Sequence, residues 1–314
     1  MPVVVLIIAG LLLDRSLGEP SKFHPLVGFG RLANGIEKQL RGLIAVSPEN
    51  GTALRLLGAL GWLLLVTLPT ALMAWLLSGL AFWLAMPLSV VVLYLCVGAR
   101  SLEEHARAVA EPLYKSDLEL ARQRLGYIVS RETRQLDKRA LIRGTVESVL
   151  ENGSDALLAP LFWFALAGAP GVLLYRLANT LDAMWGYRND RYRCFGWAAA
   201  RMDDLLNWLP ARLCAFSYAL AGSLQPALRC WRSQGGLCDS PNGGPVMAAG
   251  AGALSVRLGG HARYHGRDVV KPELGEGREV DIVDIEGALR LLRRATWVWI
   301  AAVALIEYLL WLLR

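Results

Sequence analysis

Charge is missing from this chain where a water-soluble protein would carry it. Between Arg55 and Arg100 there are 44 residues without one Asp, Glu, Lys or Arg. At about 1.5 Å of rise per helical residue this is roughly 66 Å of helix, enough to cross a ~30 Å hydrocarbon core twice. Pro69, Gly79 and Pro87 punctuate the run. It therefore predicts a helical hairpin at about 56–77 and 80–98, and excludes an ordinary soluble domain.

Other absences narrow the class further. Five cysteines form no CxxC pair and no metal-ligand spacing, which fits a reduced, cytosol-facing chain without structural disulfides. The N-terminal apolar stretch has no basic region ahead of it and no small-residue cleavage signal behind it, so it is not expected to be a signal peptide. The P-loop pattern is absent, as are alternating strands, internal repeats and low-complexity tracts. His261 and His265 are four apart but flanked by glycines, which argues against a helical two-His metal site. Nothing points to nucleic acid. Lysine is scarce: of 33 basic residues five are Lys, leaving 28 Arg. Codon bias accounts for most such excesses, although arginine also suits bidentate binding of carboxylates and phosphates.

What is present is apolar and helical. Mean hydropathy is +0.37 and 54% of residues are hydrophobic, which predicts an all-α, polytopic integral membrane protein forming one membrane-embedded domain. Apolar segments fall at about 2–13, 56–77, 80–98, 156–175, 205–224 and 295–313, separated by polar stretches 14–55, 99–155, 176–204 and 225–294. Ten Lys/Arg in 99–155 and ten in 225–294 place both stretches in the cytoplasm. If all six segments spanned, 99–155 and 176–204 would face opposite sides, although the first is rich in Lys/Arg and the second has a basic excess. Pro160 and the GAPG break at 168–171 interrupt one intervening segment, and Pro210 and Arg212 the next. Broken or re-entrant helices would keep the polar stretches on one side, since irregular backbone and charge at membrane depth are tolerated where protein surrounds them. A simple five-span arrangement is the alternative.

Four polar clusters border these segments. On a helix, Glu147, Glu151 and Asp155 recur every fourth residue, with Asn152 beside them and Arg143 one turn earlier. Like charges at this spacing repel unless a cation or donor sits among them. The stretch NTLDAMWGYRND holds Asn179 and Asp182 about one turn apart; Arg201, Asp203, Asp204 and Asn207 crowd the start of the 205–224 segment; and ARSLEEHA carries Arg100, Glu103 and His105. Any one of these could simply end a span or cap a helix. Repeated beside apolar segments that are themselves broken, the carboxylate–carboxamide groups suggest hard oxygen ligands for Mg²⁺ carried with phosphates, with nearby arginines on the phosphate oxygens. Asn242, Gly243 and Gly244 precede a small-residue helix of a kind that can present N–H groups to an anion. His24 is either a substrate contact or a loop-packing residue.

The ordered set DRSLGEP, HPLVGFGRL, ARSLEEHA, SRET, ESVLEN-x2-D-x4-P, NTLD-x-M-x-GY, FG-x3-AR-x-DD-x2-N-x-x-PARL and SPN-x-G closely resembles the cobalamin-biosynthesis CobD/CbiB family, from about residue 14 to about 275. The resemblance implies a multi-pass protein of the inner (plasma) membrane with its active site on the cytoplasmic side. It implies adenosylcobinamide-phosphate synthase activity: an ATP-consuming ligase joining adenosylcobyric acid to (R)-1-amino-2-propanol O-2-phosphate, or to ethanolamine phosphate. The expected partners are the corrinoid, the aminoalcohol phosphate, the lipid bilayer and other late cobalamin-pathway membrane enzymes. Under this expectation Mg²⁺–ATP falls to Glu147, Glu151, Asp155 and Asp182, and further ligand or base roles to Asp203, Asp204 and His105. Phosphate contacts fall to Arg100, Arg131 and Arg201, and substrate positioning to Asn152, Asn179, Asn207, His24 and Asn242. After SPN the chain reads GGPVMAAGAGAL where the family usually has a bulkier residue, a local departure. A non-catalytic sensor related to the family and a transporter are the alternatives; the retained acids weigh against the first, and the missing inverted repeat against the second.

Overall fold

The computed structural model describes residues 2–20, 24–43, 51–264 and 267–313, without the side chains of 261–264, 267 and 268. The chain is 77% helical, all-α as expected, and holds four helices long and apolar enough to cross a membrane: Gly51–Gly79, Phe82–Tyr114, Lys138–Trp185 and Val283–Leu312. Its internal contacts divide it into two compact units, residues 1–98 with 160–207, and 99–159 with 208–314.

The first unit contains α1 (Val3–Leu17), α2 (Pro25–Arg41), α3 (Gly51–Trp62), α4 (Leu68–Gly79) and α5 (Phe82–Cys96). His24 caps α2: its Nδ1 accepts the Leu26 N–H at 3.2 Å, and Pro25 occupies the first helical position, where an N–H would be unpaired anyway. Gly10 lets α1 lie against Leu93 of α5, and Tyr94 ties the pair by donating to the Gly18 carbonyl at 2.7 Å. Gly58 does the same for α3 against the chain at Phe195, whose carbonyl oxygen would stand 1.8 Å from a β-carbon.

Two π-helical turns, Leu63–Thr67 and Ser154–Leu158, each end two residues before a proline, Pro69 and Pro160. A proline has no N–H to give to the carbonyl four residues back and its ring collides with it; widening the preceding turn relieves both. The next helix, α9 (Ala159–Trp185), breaks at Ala167 (φ −137°, ψ 17°) and Gly168 (φ 62°, ψ −151°), as the GAPG stretch predicts. By contrast, α10 (Trp197–Ala221) runs through Pro210 without the expected interruption, so its proline is absorbed within a continuous helix.

The second unit contains α6 (Ala99–Tyr114), α7 (Leu118–Leu125), α8 (Lys138–Gly153), α11 (Leu224–Gln234), α12 (Gly243–Leu254) and α13 (Val283–Leu312). It also contains three short strands that the sequence did not signal: β1 (Val256–Tyr264), β2 (Arg267–Gly275) and β3 (Arg278–Glu279). They form one sheet ordered β2-β1-β3, antiparallel between β1 and β2 and parallel between β1 and β3. Gly259 and Gly260 interrupt β1 and Pro272 interrupts β2, so no sustained alternation marks them. The backbone of His261 lies on β1; its side chain and all of His265 fall outside the described residues. Small residues dominate α12, buried from Gly243 to Ala253, and Gly250 admits Leu150 of α8.

Gly168 occupies a backbone region essentially restricted to glycine. Gly168→Ala is expected to destabilise the protein in detergent by about 1–3 kcal/mol, measured as a lower unfolding temperature, whereas Gly28→Ala, where a β-carbon meets open space, leaves it unchanged.

Candidate active site

The carboxylate stripe of α8 acquires the cations its spacing calls for. Glu147 is 4% exposed, and both of its oxygens are taken: Oε2 accepts from Arg131 Nη2, itself 8% exposed, and Oε1 accepts the Gly259 N–H at 2.9 Å. One turn on, Glu151 lies within electrostatic reach of Lys271, Glu147 and Arg131, and its Oε1 would be 2.7 Å from a β-carbon at Gly243. That glycine is therefore what admits the carboxylate to the start of α12. Asn152 donates to Ser148 Oγ at 2.9 Å. Asp155 sits in the second π-turn near Cys214 and Tyr218. Arg143 donates to the carbonyl of the same Gly259 at 2.5 Å.

A second cluster belongs to the first unit, on the C-terminal half of α9 and the start of α10. Asp203 Oδ1 accepts from Asn179 Nδ2 at 3.2 Å and its Oδ2 from Asn207 Nδ2 at 3.1 Å. The buried Tyr175 hydroxyl donates to Asn207 Oδ1 at 2.9 Å, which fixes the amide with its NH₂ toward the carboxylate. Tyr175, Asn179 and Asp182 lie three and four residues apart, on one face of α9. Asp182 feels the charges of Asp203 and Asp204, yet its carboxylate accepts no hydrogen bond among the described residues. Gly186 leaves it room, since a β-carbon there would fall 1.9 Å from Asp182 Oδ1. Burial pushes the Asp203 carboxyl up to about 6, the Asp204 charge adding to this and the two amide donors opposing it. Asp204 is also raised by burial and is held by Arg201 at 3.2 Å.

The remaining expected residues lie in neither cluster as described. Arg100 pairs with Glu104 at 2.7 Å, and His105 Nδ1 donates to the Ser101 carbonyl at 2.7 Å on an exposed face of α6, leaving Nε2 as its acceptor. His24 is a helix cap. Asn242 Oδ1 accepts from Arg212 at 2.9 Å. The residues proposed for Mg²⁺–ATP thus divide: Glu147, Glu151 and Asp155 belong to the second unit, Asp182 to the first. Among the described residues no three His, Cys, Asp or Glu are placed to hold a metal between them. Glu147 and Asp203 each have both oxygens engaged and do not offer a vacant ligand edge; Asp182, which accepts no hydrogen bond among the described residues, does fit Mg²⁺, which typically takes one or two carboxylates and completes its shell with substrate phosphates and water. Sequence reasoning passed over Tyr175, although its position one turn before Asn179 was visible. Gly259 and Lys271 carried no signal, because their approach to α8 depends on the unsignalled sheet.

These features define a polytopic α-helical membrane protein with carboxylate–carboxamide clusters beside its apolar segments. The family model described as CobD/Cbib protein matches residues 7–292, and the chain belongs to the CobD/CbiB family. It is similar to proteins named "Cobalamin biosynthesis protein CobD" from Stutzerimonas stutzeri (56% identical over 302 residues, 96% of each chain) and Chromobacterium violaceum (56% over 291 residues, 93% of this chain and 92% of the other). A more distant relative of the same name, from Clostridium perfringens, is 33% identical over 317 residues, covering 98% of this chain and 99% of the other. No solved structure matches the chain.

Two outcomes follow from the clusters. Glu147→Gln removes the charge facing buried Arg131, and breaking such a pair costs about 3–5 kcal/mol; the variant should unfold at a clearly lower temperature than Glu151→Gln. For Asp203 the folded value of about 6 lies above the ordinary 3.8. Its contribution to stability is therefore full below pH 3.8 and is lost as pH rises through about 6. The unfolding temperature of Asp203→Asn relative to wild type should rise across that window, in a thermal-unfolding series on both proteins.

Proposed function

We propose that this protein acts in cobalamin biosynthesis as an adenosylcobinamide-phosphate synthase: an ATP-dependent ligase forming an amide between a propionate of adenosylcobyric acid and the amine of an aminoalcohol phosphate. The observation that carries the reading is near-full-length identity to relatives named for cobalamin biosynthesis, in a chain that keeps the Asp182–Asp203–Asn179–Asn207 cluster. The chemistry is consistent with these groups. A carboxylate is a poor electrophile, so its oxygen first takes the γ-phosphoryl group of ATP, releasing ADP. The amine then attacks the acyl carbon, the C–O bond to phosphate breaks, and inorganic phosphate leaves.

Asp182 is the residue that would hold Mg²⁺, which when bound would neutralise phosphate charge. Asp203 is tuned near 6, which suits a carboxylate that accepts the proton from the attacking amine at neutral pH. Asn179 and Asn207 keep both of its oxygens oriented and favour its ionised form. Arg201, paired with Asp204 on the exposed flank of α10, is available to a phosphate oxygen. The family resemblance implies residence in the inner membrane, and the Lys/Arg-rich polar stretches support chemistry on the cytoplasmic side.

The test is product formation in detergent or liposomes from adenosylcobyric acid, aminopropanol phosphate and Mg²⁺–ATP. Asp182→Asn, whose carboxylate accepts no structural hydrogen bond, should insert and melt like wild type while losing about 100-fold or more of the rate, the scale of an electrostatic or general-base contribution. No ATP-dependent product from folded wild-type protein would overturn the ligase reading and favour the sensor.

A further inference from the structure

α6 and the first half of α13 pair their charges. Arg100 meets Glu104 at 2.7 Å, Arg107 meets Glu103 at 2.6 Å and Glu286 at 2.8 Å, and Arg293 meets Glu103 at 3.3 Å. Arg290 and Arg294 are left over. They lie one turn apart on α13, both exposed, and the side chain of neither makes an ion pair or a hydrogen bond among the described residues. Glu286 feels the Arg290 charge, but its hydrogen bond goes to Arg107. The surplus is two neighbouring guanidinium groups, each with its forked edge unspent and suited to phosphate oxygens.

α13 is also one of the helices long and apolar enough to cross a membrane. On the face that carries Arg290 and Arg294, the side chains that follow at helical spacing include Trp297, Leu305, Tyr308 and Leu312, all exposed. Leu292, Ala295 and Val303, on the opposite face, are buried. From Arg294 to Leu312 the helix rises about 27 Å, close to the ~30 Å of a hydrocarbon core. The exposed stripe therefore runs basic, then indole, then apolar, which is the order of a bilayer leaflet from headgroup to acyl chain. A site for a free anion in water would not continue into exposed apolar side chains.

We propose that this face of α13 binds an anionic glycerophospholipid, its phosphate shared between Arg290 and Arg294 and its acyl chains against Trp297 and the apolar stripe beyond. A zwitterionic lipid brings its own cation to the same place, so two unpaired guanidinium groups select a headgroup of net negative charge. The site needs α13 in a membrane and nothing of the ligase chemistry. The experiment uses the full chain in detergent, titrated with phosphatidylglycerol or with phosphatidylcholine of the same acyl chains, and counts bound lipid by native mass spectrometry. Wild type should hold phosphatidylglycerol at least tenfold more tightly than phosphatidylcholine. Arg290→Gln with Arg294→Gln should weaken phosphatidylglycerol at least tenfold and leave phosphatidylcholine unchanged. Lys138→Gln with Arg139→Gln removes the same charge from the exposed start of α8 and should leave both lipids as in wild type.

Equal affinity of wild type for the two lipids overturns the proposal. So does an equal loss of phosphatidylglycerol in the α13 and α8 double variants, because net charge alone would then account for binding. Displacement of phosphatidylglycerol by an equimolar amount of inorganic phosphate also overturns it, since the arginines would then serve a free anion. If the Arg290/Arg294 double variant unfolds early, Arg294→Gln alone decides: a loss of at least threefold for phosphatidylglycerol supports the site, and an unchanged affinity overturns it.

Discussion

A carboxylate withdrawn from water must be given donors or a cation, and each unit of this protein is organised around one that is. In the first unit Glu37 is 1% exposed. Burial would raise its pKa, but Arg191 and Arg41 outweigh burial and hold it below the ordinary carboxylate range. The Tyr192 hydroxyl adds a third donor at 3.2 Å. The 186–196 connection is thereby pinned to α2 by charge, and Trp185 and Phe195 close over the apolar side in an edge-on pair with centroids 4.9 Å apart. In the second unit Glu147 joins three pieces of chain distant in sequence: the Arg131 loop, α8 and the Gly259 bend of β1. A buried ion pair adds little over an apolar replacement of the same volume, but removing one partner strands the other, so these contacts specify the arrangement more than they add stability.

Around these pairs, packing depends on small residues and on prolines whose disruption is absorbed locally. Gly10, Gly58 and Gly250 let backbone or side chains approach to distances that a single methyl group would forbid. Where the helices must carry Pro69 and Pro160, a widened turn takes up the missing N–H. The second of these turns carries Asp155. A π-turn rotates the residues after it relative to a regular helix, so the strict every-fourth-residue register that joins Glu147 to Glu151 does not extend unchanged to Asp155.

This explains how much of the molecule was legible from its residues. The charge-free run between Arg55 and Arg100, the GAPG break and the helical spacing are local signals, and the structure follows them. The partners of the α8 stripe were legible only as a requirement: three acids in register called for a cation, and the cations are Arg131 and Lys271, contributed from segments without recognisable periodicity. The strands of 256–279 were hidden because Gly259, Gly260 and Pro272 interrupt their alternation. Pro210 read as a helix breaker because the sequence records the missing N–H, yet α10 continues through it. Glu37 went unnoticed in a polar stretch where any single acid reads as solvated.

What separates structural from functional charge here is whether bonding capacity is spent. Glu37 and Glu147 have every oxygen occupied, and Arg191 and Arg131 direct their guanidinium groups at them. Asp182 is otherwise placed: it shares its surroundings with two more carboxylates, has space reserved by Gly186, and accepts nothing from the described residues. Holding Asp182 among apolar helices costs free energy, because a buried polar group without partners is worse than an apolar residue of equal volume. A ligand carrying the complementary charges recovers it on binding. That is what separates Asp182 from the satisfied carboxylates of Glu37 and Glu147.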